Sequence, residues 1–264
     1  MIRKLISSDY ETLLEYLERE EALNSYILSN LKVYGLEDEN ITIFGEFDEK
    51  NQYLAVLLFT KHQSIFFAQN RLFNPDWLTI FEQNDFSNIG GVKSIIDKIQ
   101  PYFKDYIISP SYVAEATKLR EKYVKPDIKI IKVTTEDQCE KLFDLLSTIE
   151  EFSHRTKNKQ DFIETRMKAM KISSTYYIEE NGKMISTATA SGETKNNAVV
   201  VMVGTALEGR YKGLASILVK HIMHEYIDVK KKSLCLFYDN PKAGNIYKRL
   251  GFKDVEQWIV LFEK

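Results

Sequence analysis

The sequence predicts an α/β protein made of two related domains, each with a central sheet flanked by helices. In the C-terminal half, short apolar runs alternate with amphipathic segments of helical period. Three of the apolar runs follow one another with short connections, which is typical of an antiparallel meander. The opening of this pattern recurs in the N-terminal half, and a recurring order of elements indicates an internal repeat.

The composition limits the class of protein. The chain has 264 residues, of which 44% are hydrophobic and 28% charged, so we expect a folded protein with a substantial core. A net charge of -2 disfavours a general nucleic-acid binder. No apolar stretch approaches the length of a membrane span, and the N-terminal segment MIRKLISSDY does not have the pattern of a signal peptide. The two cysteines, Cys139 and Cys235, are far apart, which favours a reducing, cytoplasmic setting.

The elements of the C-terminal half are well marked. Asn181-Gly182 predicts a hairpin turn between two strands. Asn240 with Pro241 predicts the start of a helix, and Gly251 its end. The predicted order is strand IKIIKV, helix TTEDQCEKLFDLLSTIEEF, helix QDFIETRMKAMKI, hairpin STYYIEENGKMISTATASGE, buried strand NNAVVVMVGT, helix LASILVKHIMHEYIDV, strand KSLCLFY, helix NPKAGNIYKRL and a last strand.

The N-terminal segment IRKLISSDYETLLEYL echoes IIKVTTEDQCEKLFDLL. At a constant offset the matching pairs are Lys4 with Lys132, Leu5 with Val133, Asp9 with Asp137, Leu14 with Leu142, and Leu17 with Leu145. Pro126, in YVKPD, interrupts the pattern between the two copies. We therefore expect one domain over residues 1–125 and a second over residues 126–264.

The segment GRYKGLA, residues 209–215, places two glycines and two cations between a strand and a helix. Glycine lets backbone N–H groups turn toward a ligand, and a helix N-terminus offers unpaired N–H groups with the positive end of its dipole. Together these features bind phosphate, and Arg210 and Lys212 add positive charge. An ordinary strand-to-helix turn with solvated cations is the alternative.

Two blocks of sequence resemble the GNAT N-acetyltransferase superfamily. The first block is the acetyl-CoA loop, V-x-T followed by (Q/R)-x-x-G-x-(G/A), present as Val203, Thr205, Arg210, Gly213 and Ala215. The second block, N-x-x-A-x-x-x-Y-x-x-x-G-F, is present as Asn240, Ala243, Tyr247, Gly251 and Phe252. Leu207 stands where the family usually has proline. The resemblance implies two GNAT-like domains, each with a mixed, mainly antiparallel sheet, the first of them degenerate.

The resemblance also implies a mechanism. An amine of a small-molecule acceptor would attack the thioester of acetyl-CoA directly, without an acyl-enzyme, in the gap where the buried strand splays from its parallel neighbour SLCLF. Tyr247 would protonate the leaving thiolate, and Asn240 would contact the pantetheine arm. The implied acetyl-CoA-binding residues are Val203, Thr205, Arg210, Tyr211, Lys212, Gly213, Leu214, Ala215, Ser216 and Asn240.

The general base is less well marked, because the buried strand NNAVVVMV has no carboxylate. Glu193 is the candidate, since Thr187, Thr189, Ser191 and Glu193 share one strand face and predict a wet polar stripe. A solvent-facing strand end is the alternative explanation of this stripe. Glu151 and His154 lie in the region that lines the acceptor site in the family, and a chain of water molecules is a further alternative.

Other chemically notable residues are expected to be structural. His221 and His224 have no visible third ligand, so we expect no metal site. Cys235 alternates with apolar residues and is expected in the core, and Lys230, Lys231 and Lys232 are expected to be solvated at a helix end.

Two further functional interpretations remain open at this point. Instead of an acetyl-CoA-dependent N-acetyltransferase, the protein is alternatively a non-catalytic regulatory module that binds acyl-CoA. The N-terminal half is alternatively an interaction domain. We expect residues 1–125 not to bind CoA, because RLFNPDWL has no glycine at the required spacing. Four aromatic residues, Phe66, Phe67, Phe73 and Trp77, would wall the acceptor groove or pack the core. The sequence does not specify the acceptor or the oligomeric state.

Overall fold

Strands alternate with helices along the chain. The computed structural model describes residues 1–61, 63–153 and 158–264. The strands are β1 (Ile2–Lys4), β2 (Ile41–Phe47), β3 (Tyr53–Thr60), β4 (Ser64–Phe67), β5 (Asn88–Val92), β6 (Tyr106–Ala116), β7 (Ile131–Lys132), β8 (Ser174–Glu180), β9 (Lys183–Ser191), β10 (Asn197–Thr205), β11 (Ser233–Tyr238) and β12 (Lys253–Glu263). The helices are α1 (Tyr10–Leu17), α2 (Glu21–Tyr34), α3 (Trp77–Glu82), α4 (Lys93–Ile99), α5 (Glu136–Ser147), α6 (Glu150–Ser153), α7 (Lys159–Ala169), α8 (Leu214–Met223) and α9 (Pro241–Leu250).

The chain divides into two units, each with its own dense internal contacts. The N-terminal unit comprises Met1–Ala114, Phe237–Asp239 and Asp254–Lys264, and the C-terminal unit comprises Glu115–Leu236 and Asn240–Lys253. Nearly all of β12 is thus grouped with the N-terminal unit, whereas the sequence repeat assigns it to the second domain. The boundary expected from the sequence repeat, between residues 125 and 126, therefore stays a prediction.

The N-terminal unit contains a mixed sheet. Its first four strands, β1 to β4, are antiparallel neighbours in that order. β5 then pairs with β4 in parallel, and β12 pairs antiparallel with β5. Helices α1, α2 and α4 bury apolar residues such as Leu13, Ile27 and Ile95 in the core of this unit.

The C-terminal unit has the same order of elements. A short strand, β7, and a group of helices precede the antiparallel meander β8–β9–β10, and a helix then leads to β11, which is parallel to β10. β1 to β5 follow the same course, with α3 as the helix before the parallel strand. The order and direction of these strands confirm the internal repeat and the predicted mixed, mainly antiparallel sheets.

Helices cover both faces of the C-terminal sheet. Tyr177 packs with Leu142 of α5 and Ile163 of α7. Its neighbour Tyr176 meets His221 and Glu225, in and just beyond α8. Neighbouring strand residues point to opposite faces, so α5 and α7 lie on one face of the sheet and α8 on the other.

The residues that predict helix caps and turns form these structures. Thr135 accepts a hydrogen bond from the amide of Gln138 and caps α5. Asn181 and Gly182 both have left-handed backbone, with φ of 52° and 77°, which is the geometry of the predicted hairpin turn. Gly251, with φ of 121°, ends α9.

Gly251 should tolerate a side chain far less well than Gly182. A Cβ at Gly251 would lie 2.9 Å from the carbonyl oxygen of Lys118 and 3.1 Å from the amide of Arg120, whereas nothing lies within 4 Å of a Cβ at Gly182. We expect Gly251→Ala to lower the free energy of unfolding by about 2 kcal/mol or more, and the matched control Gly182→Ala by about 1 kcal/mol. Urea unfolding measures both values, and equal losses would contradict a steric role for the Lys118–Arg120 backbone.

Candidate functional site

β10 leaves the regular sheet pattern halfway along its length. Its pairing with β11 covers Asn197, Ala198 and Val199, the first three residues of the strand. Its pairing with β9 is interrupted between Val201 and Gly204, where Met202 has a φ of 53°. Met202 and Val203 therefore have no opposite residue in the register of either neighbouring strand. This β-bulge leaves backbone groups that a strand-like ligand can pair with.

The bulge is fixed by close packing. A Cβ at Gly204 would lie 2.8 Å from Cδ1 of Ile149, so glycine is the residue that fits against the end of α5. Ser186 donates a hydrogen bond of 3.1 Å to the carbonyl oxygen of Gly204 and lies 2.9 Å from the hydroxyl of Thr205. The end of β10 is thus held in place although its ladder is interrupted.

The connection from β10 to α8 presents a row of backbone amides. Gly209 and Arg210 donate to Ala206 and Leu207 in a short 3-10 turn, and the first amide bonded within α8 is that of Ile217, to Gly213. The amides of residues 211–216 have no hydrogen-bond acceptor among the described residues. Six successive N–H groups at the positive end of a helix dipole have the arrangement that favours binding of an anion.

Left-handed backbone shapes this row. Tyr211 has a φ of 63° and Gly213 a φ of 76°, so two left-handed residues turn the backbone just before α8. Nothing lies within 4 Å of a Cβ at Gly213, so its surroundings are open. Residues 209–215 therefore have the turned backbone and open amides that the sequence predicts, and their role in binding phosphate stays a prediction.

The cations beside this row differ in their partners. Lys212 forms an ion pair of 2.9 Å with Glu180, and Lys183 forms one of 2.7 Å with Glu208. Arg210 is exposed, and its Nε donates to the carbonyl oxygen of Thr205 at 3.4 Å. Among the described residues Arg210 has no carboxylate partner, so its charge is the one left for a ligand.

The second sequence block lies on α9, which packs against α8. Asn240 accepts a hydrogen bond of 2.9 Å from the amide of Lys242, so its side-chain oxygen serves as the helix cap. Tyr247 is buried, and this burial raises the pKa of its phenol to about 12. The phenol therefore keeps its proton at neutral pH, as a proton donor must.

Glu193 is not brought together with the bulge. It lies in the turn after β9 and forms ion pairs with Lys232 at 2.7 Å and Lys230 at 3.1 Å. The neighbouring amide of Thr194 donates to the carbonyl oxygen of Asn197, at the start of β10. Six residues of strand separate Asn197 from Val203, which is about 20 Å. This geometry does not favour Glu193 as the base, and its catalytic role stays a prediction.

The charge state of Glu193 also disfavours proton uptake. Burial alone would raise the pKa of its carboxyl, but the hydrogen bonds from Lys232 and Lys230 outweigh burial and hold the pKa below its usual value. Two of the three lysines expected to be solvated are thus ion-paired. A carboxylate stabilised in this way is a weak base.

The predicted wet polar stripe is wrong at Thr187 and Thr189, because both residues are buried, whereas Ser191 at the strand end is half-buried. Thr187 and Thr189 are both 0% exposed. Thr189 shares a hydrogen bond of 2.9 Å with Thr175, and Thr187 donates to the carbonyl oxygen of Tyr176 at 3.2 Å. These hydroxyls thus have partners within the sheet beneath α5 and α7, so polar residues on this strand do not imply access to water.

The other candidates from the sequence are a carboxylate, three histidines and a cysteine. Glu151 is exposed on α6, and His154 lies outside the described residues. His221 and His224 bond to Tyr123 and Asp228, and no cluster of metal-binding side chains occurs in the described part of the chain. Cys235 is buried and donates to the side-chain oxygen of Asn197, as expected of a core residue. None of the described helices is long and apolar enough to cross a membrane.

The corresponding connection in the N-terminal unit is built differently. After β4, the side-chain oxygens of Asn70 and Asn74 accept from the amides of Leu72 and Asp76. The first amides of α3, those of Trp77 and Leu78, donate to Asn74 and Pro75. The chain itself therefore occupies the amides of Leu72, Asp76, Trp77 and Leu78, and Pro75 has no N–H to offer.

The other expected features of the N-terminal unit are structural as well. Arg71 pairs with Glu20 at 2.5 Å. Phe66, Phe67 and Trp77 are buried, and Phe73 packs against the same core. Core packing therefore accounts for these aromatic residues, and the expected role of walling a groove has no support among the contacts of this unit.

Sequence reasoning missed Arg166 on α7. Its Nη1 lies 3.3 Å from the sulfur of Met202 in the bulge. Its position in the sequence could have revealed it. Arg166 lies three residues after the buried Ile163 and four after Phe162, so the helical period places this cation on the apolar face of α7.

Comparisons with known proteins agree with this geometry. Residues 139–252 match the model of the acetyltransferase (GNAT) family. A tandem GNAT protein from the clavulanic acid biosynthesis pathway is 11% identical, with a TM-score of 0.58 over 99% of this chain and 97% of that one. A GCN5-related N-acetyltransferase from Sphaerobacter thermophilus is 11% identical, with a TM-score of 0.64 over 99% and 94%. A Drosophila protein is also 11% identical, with a TM-score of 0.68 over 99% and 98%. No curated protein matches the chain in sequence.

Residues 139–252 therefore match the GNAT acetyltransferase family, and the chain as a whole has the fold of the GNAT proteins it resembles. At 11% identity the structural neighbours show the fold alone. The family match includes the bulged part of β10, the amide row and Tyr247.

The ion pairs of Glu193 should make its contribution to stability depend on pH. Its pKa is lowered in the folded state, so the contribution is present above the pKa of an unfolded glutamate and is lost as pH falls through the folded value. We expect Glu193→Gln to lower the free energy of unfolding at pH 7 by about 1 kcal/mol or less, with the difference vanishing near pH 3. Urea unfolding between pH 7 and pH 3 measures this difference, and Glu151→Gln, at an exposed position, is the control. A difference in the free energy of unfolding that stays constant with pH would contradict a stabilising role of these ion pairs.

Proposed function

We propose that the C-terminal unit transfers the acetyl group of acetyl-CoA directly to an amine of a small-molecule acceptor. The observation that carries this proposal is the row of amides at residues 211–216, which continues from a strand that leaves its parallel neighbour after Val199. Acetyl-CoA is the acetyl donor of the GNAT family, and two of its parts are recognised by different protein groups. The pyrophosphate needs convergent N–H donors, and the pantetheine arm needs a strand edge.

Each part of the site supports one part of this ligand. The amides of residues 211–216 bind the pyrophosphate, with Arg210 as an additional cation. The backbone at Met202 and Val203 pairs with the amide groups of pantetheine. The thioester then lies where β10 and β11 part, and Asn240 contributes through the part of its side chain that does not cap α9.

The reaction requires two proton movements. The neutral amine nitrogen attacks the thioester carbonyl carbon, the C–S bond breaks, and the thiolate takes the proton of the Tyr247 phenol. The acetylated nitrogen loses its extra proton to water, and the Tyr247 phenolate takes a proton back from water, so that free CoA, the N-acetyl product and the neutral phenol remain. No side chain is assigned as the base, because β10 has no carboxylate and Glu193 is held in ion pairs.

One observation favours a second candidate function. The absence of a carboxylate on β10, together with the ion pairs of Glu193, also suits a module that binds acyl-CoA without turning it over. Thiol release with a panel of amines separates the two functions, because a binding module shows acetyl-CoA affinity and no release.

Gly213→Val should abolish most of the acetyl-CoA affinity. A β-branched residue does not adopt a φ of 76°, so the amide row would lose its shape. Losing two charge-assisted hydrogen bonds corresponds to about 100-fold in Kd. Calorimetry measures this change, and we expect one equivalent of acetyl-CoA per parent chain because the N-terminal unit lacks the amide row.

The matched control is Gly182→Val, which places the same side chain at a φ of 77° in the hairpin turn. It should leave acetyl-CoA affinity within about twofold of the parent. Arg210→Ala should weaken binding by about tenfold or less, because the residue is exposed. Unchanged affinity in Gly213→Val, or two equivalents in the parent, would contradict the proposed binding mode.

Tyr247→Phe should lower kcat by about 100-fold while leaving the acetyl-CoA Kd nearly unchanged. The hydroxyl is needed when the thiolate leaves and not when acetyl-CoA binds. Since the pKa of Tyr247 is about 12, the parent should not lose activity through deprotonation of this residue up to about pH 10. A kcat within twofold of the parent would exclude Tyr247 as the acid.

A further inference from the structure

Arg166 is a half-buried cation without a charged partner among residues 1–61, 63–153 and 158–264. Its Nη1 contacts the sulfur of Met202 at 3.3 Å, and a thioether is a weak acceptor. Its guanidinium carbon lies 5.7 Å from the ring centroid of Phe162. Its Nε is buried and has no hydrogen-bond partner among the described residues. The guanidinium is thus surrounded largely by apolar groups.

The other half-buried arginines in the described part of the chain are paired. Arg3 forms two hydrogen bonds of 2.7 Å with Asp9, and Arg71 pairs with Glu20 at 2.5 Å. Burial lowers the pKa of Arg166, and the nearby group that acts on it is the thiol of Cys139. A buried charge without a partner lowers the stability of the fold, and such a cost is typical of a residue retained for binding.

The position of Arg166 relates it to the reaction. Met202, the residue it contacts, is the left-handed residue in the bulge of β10. Phe152 and Ile149, on the same side of the sheet as α7, lie against Gly204 two residues further on. The guanidinium therefore adjoins the part of β10 where the proposed transfer takes place, on the face opposite α8.

We propose that the acceptor amine carries a carboxylate, and that Arg166 binds this carboxylate in place of its contact with Met202. This inference rests on the proposed acetyl transfer and specifies its substrate class. The planar fork of a guanidinium matches a carboxylate, and its Nε is already unoccupied. One cation among apolar side chains suits a single negative charge better than a dianionic phosphate. An amino acid has the required amine and carboxylate.

The test compares amino acids with their carboxamides, for example glycine with glycinamide and alanine with alaninamide. The parent should acetylate the acids with a kcat/KM at least tenfold above that of the amides. Arg166→Met should lower kcat/KM for the acids by 10- to 100-fold, mainly through KM, and change the value for the amides by less than twofold. Arg166→Lys keeps the charge without the fork and should give an intermediate value.

Lys168→Met is the matched control, because it removes one positive charge from an exposed position of the same helix. It should behave as the parent in every assay. Acetyl-CoA affinity, measured by calorimetry, should be the same in all four proteins. Arg166→Met should also melt at or above the temperature of the parent, because the substitution removes an unpaired buried charge.

Different results overturn different statements. A parent that prefers amides, or turns over neither member of any pair, overturns the carboxylate assignment while acetyl-CoA binding still stands. Retained preference for acids in Arg166→Met, or a lower melting temperature of this variant, shows that Arg166 is a packing residue. Loss of acetyl-CoA binding in the parent itself would remove the proposed function and this inference together.

Discussion

The site depends on the interrupted pairing of β10. Unpaired backbone groups inside a sheet are costly, yet this strand loses its parallel partner after Val199 and its regular antiparallel register after Val201. Ser186 compensates for part of the disruption by bonding to the carbonyl oxygen of Gly204. The groups that remain at Met202 and Val203 are the ones that a strand-like ligand can satisfy.

The second requirement is that this strand leads directly into a helix with unoccupied amides. The N-terminal unit shows that the topology alone does not provide them. Its β4 also pairs in parallel with the following strand and leads to a helix, but Asn70, Asn74 and Pro75 occupy the local N–H groups. Two units with one order of strands thus differ at this connection, and connections are where folds commonly carry their binding residues.

Satisfied and unsatisfied polar groups separate structural residues from the proposed binding residues within the C-terminal unit. The buried hydroxyls of Thr175, Thr187 and Thr189 have partners, and so does Glu193. These groups stabilise the sheet and its turn. Arg166 has a sulfur contact where a carboxylate is expected, and the amides of residues 211–216 have no acceptor among the described residues. Arg166 thus lies against the bulge of β10, and the amide row follows the C-terminal end of the same strand.

The sequence by itself determined the local structure: the caps at Thr135 and Asn240, the turn at Asn181-Gly182, the repeat of elements and the cradle before α8. These features depend on residues close together in the chain, whose backbone preferences can be read directly. Tertiary structure decided the rest. It buried the threonines of β9, paired Glu193 with two lysines, grouped β12 with the N-terminal unit and brought Arg166 to Met202. Each of these outcomes depends on which distant segments pack together, because burial and charge pairing arise from neighbours in space.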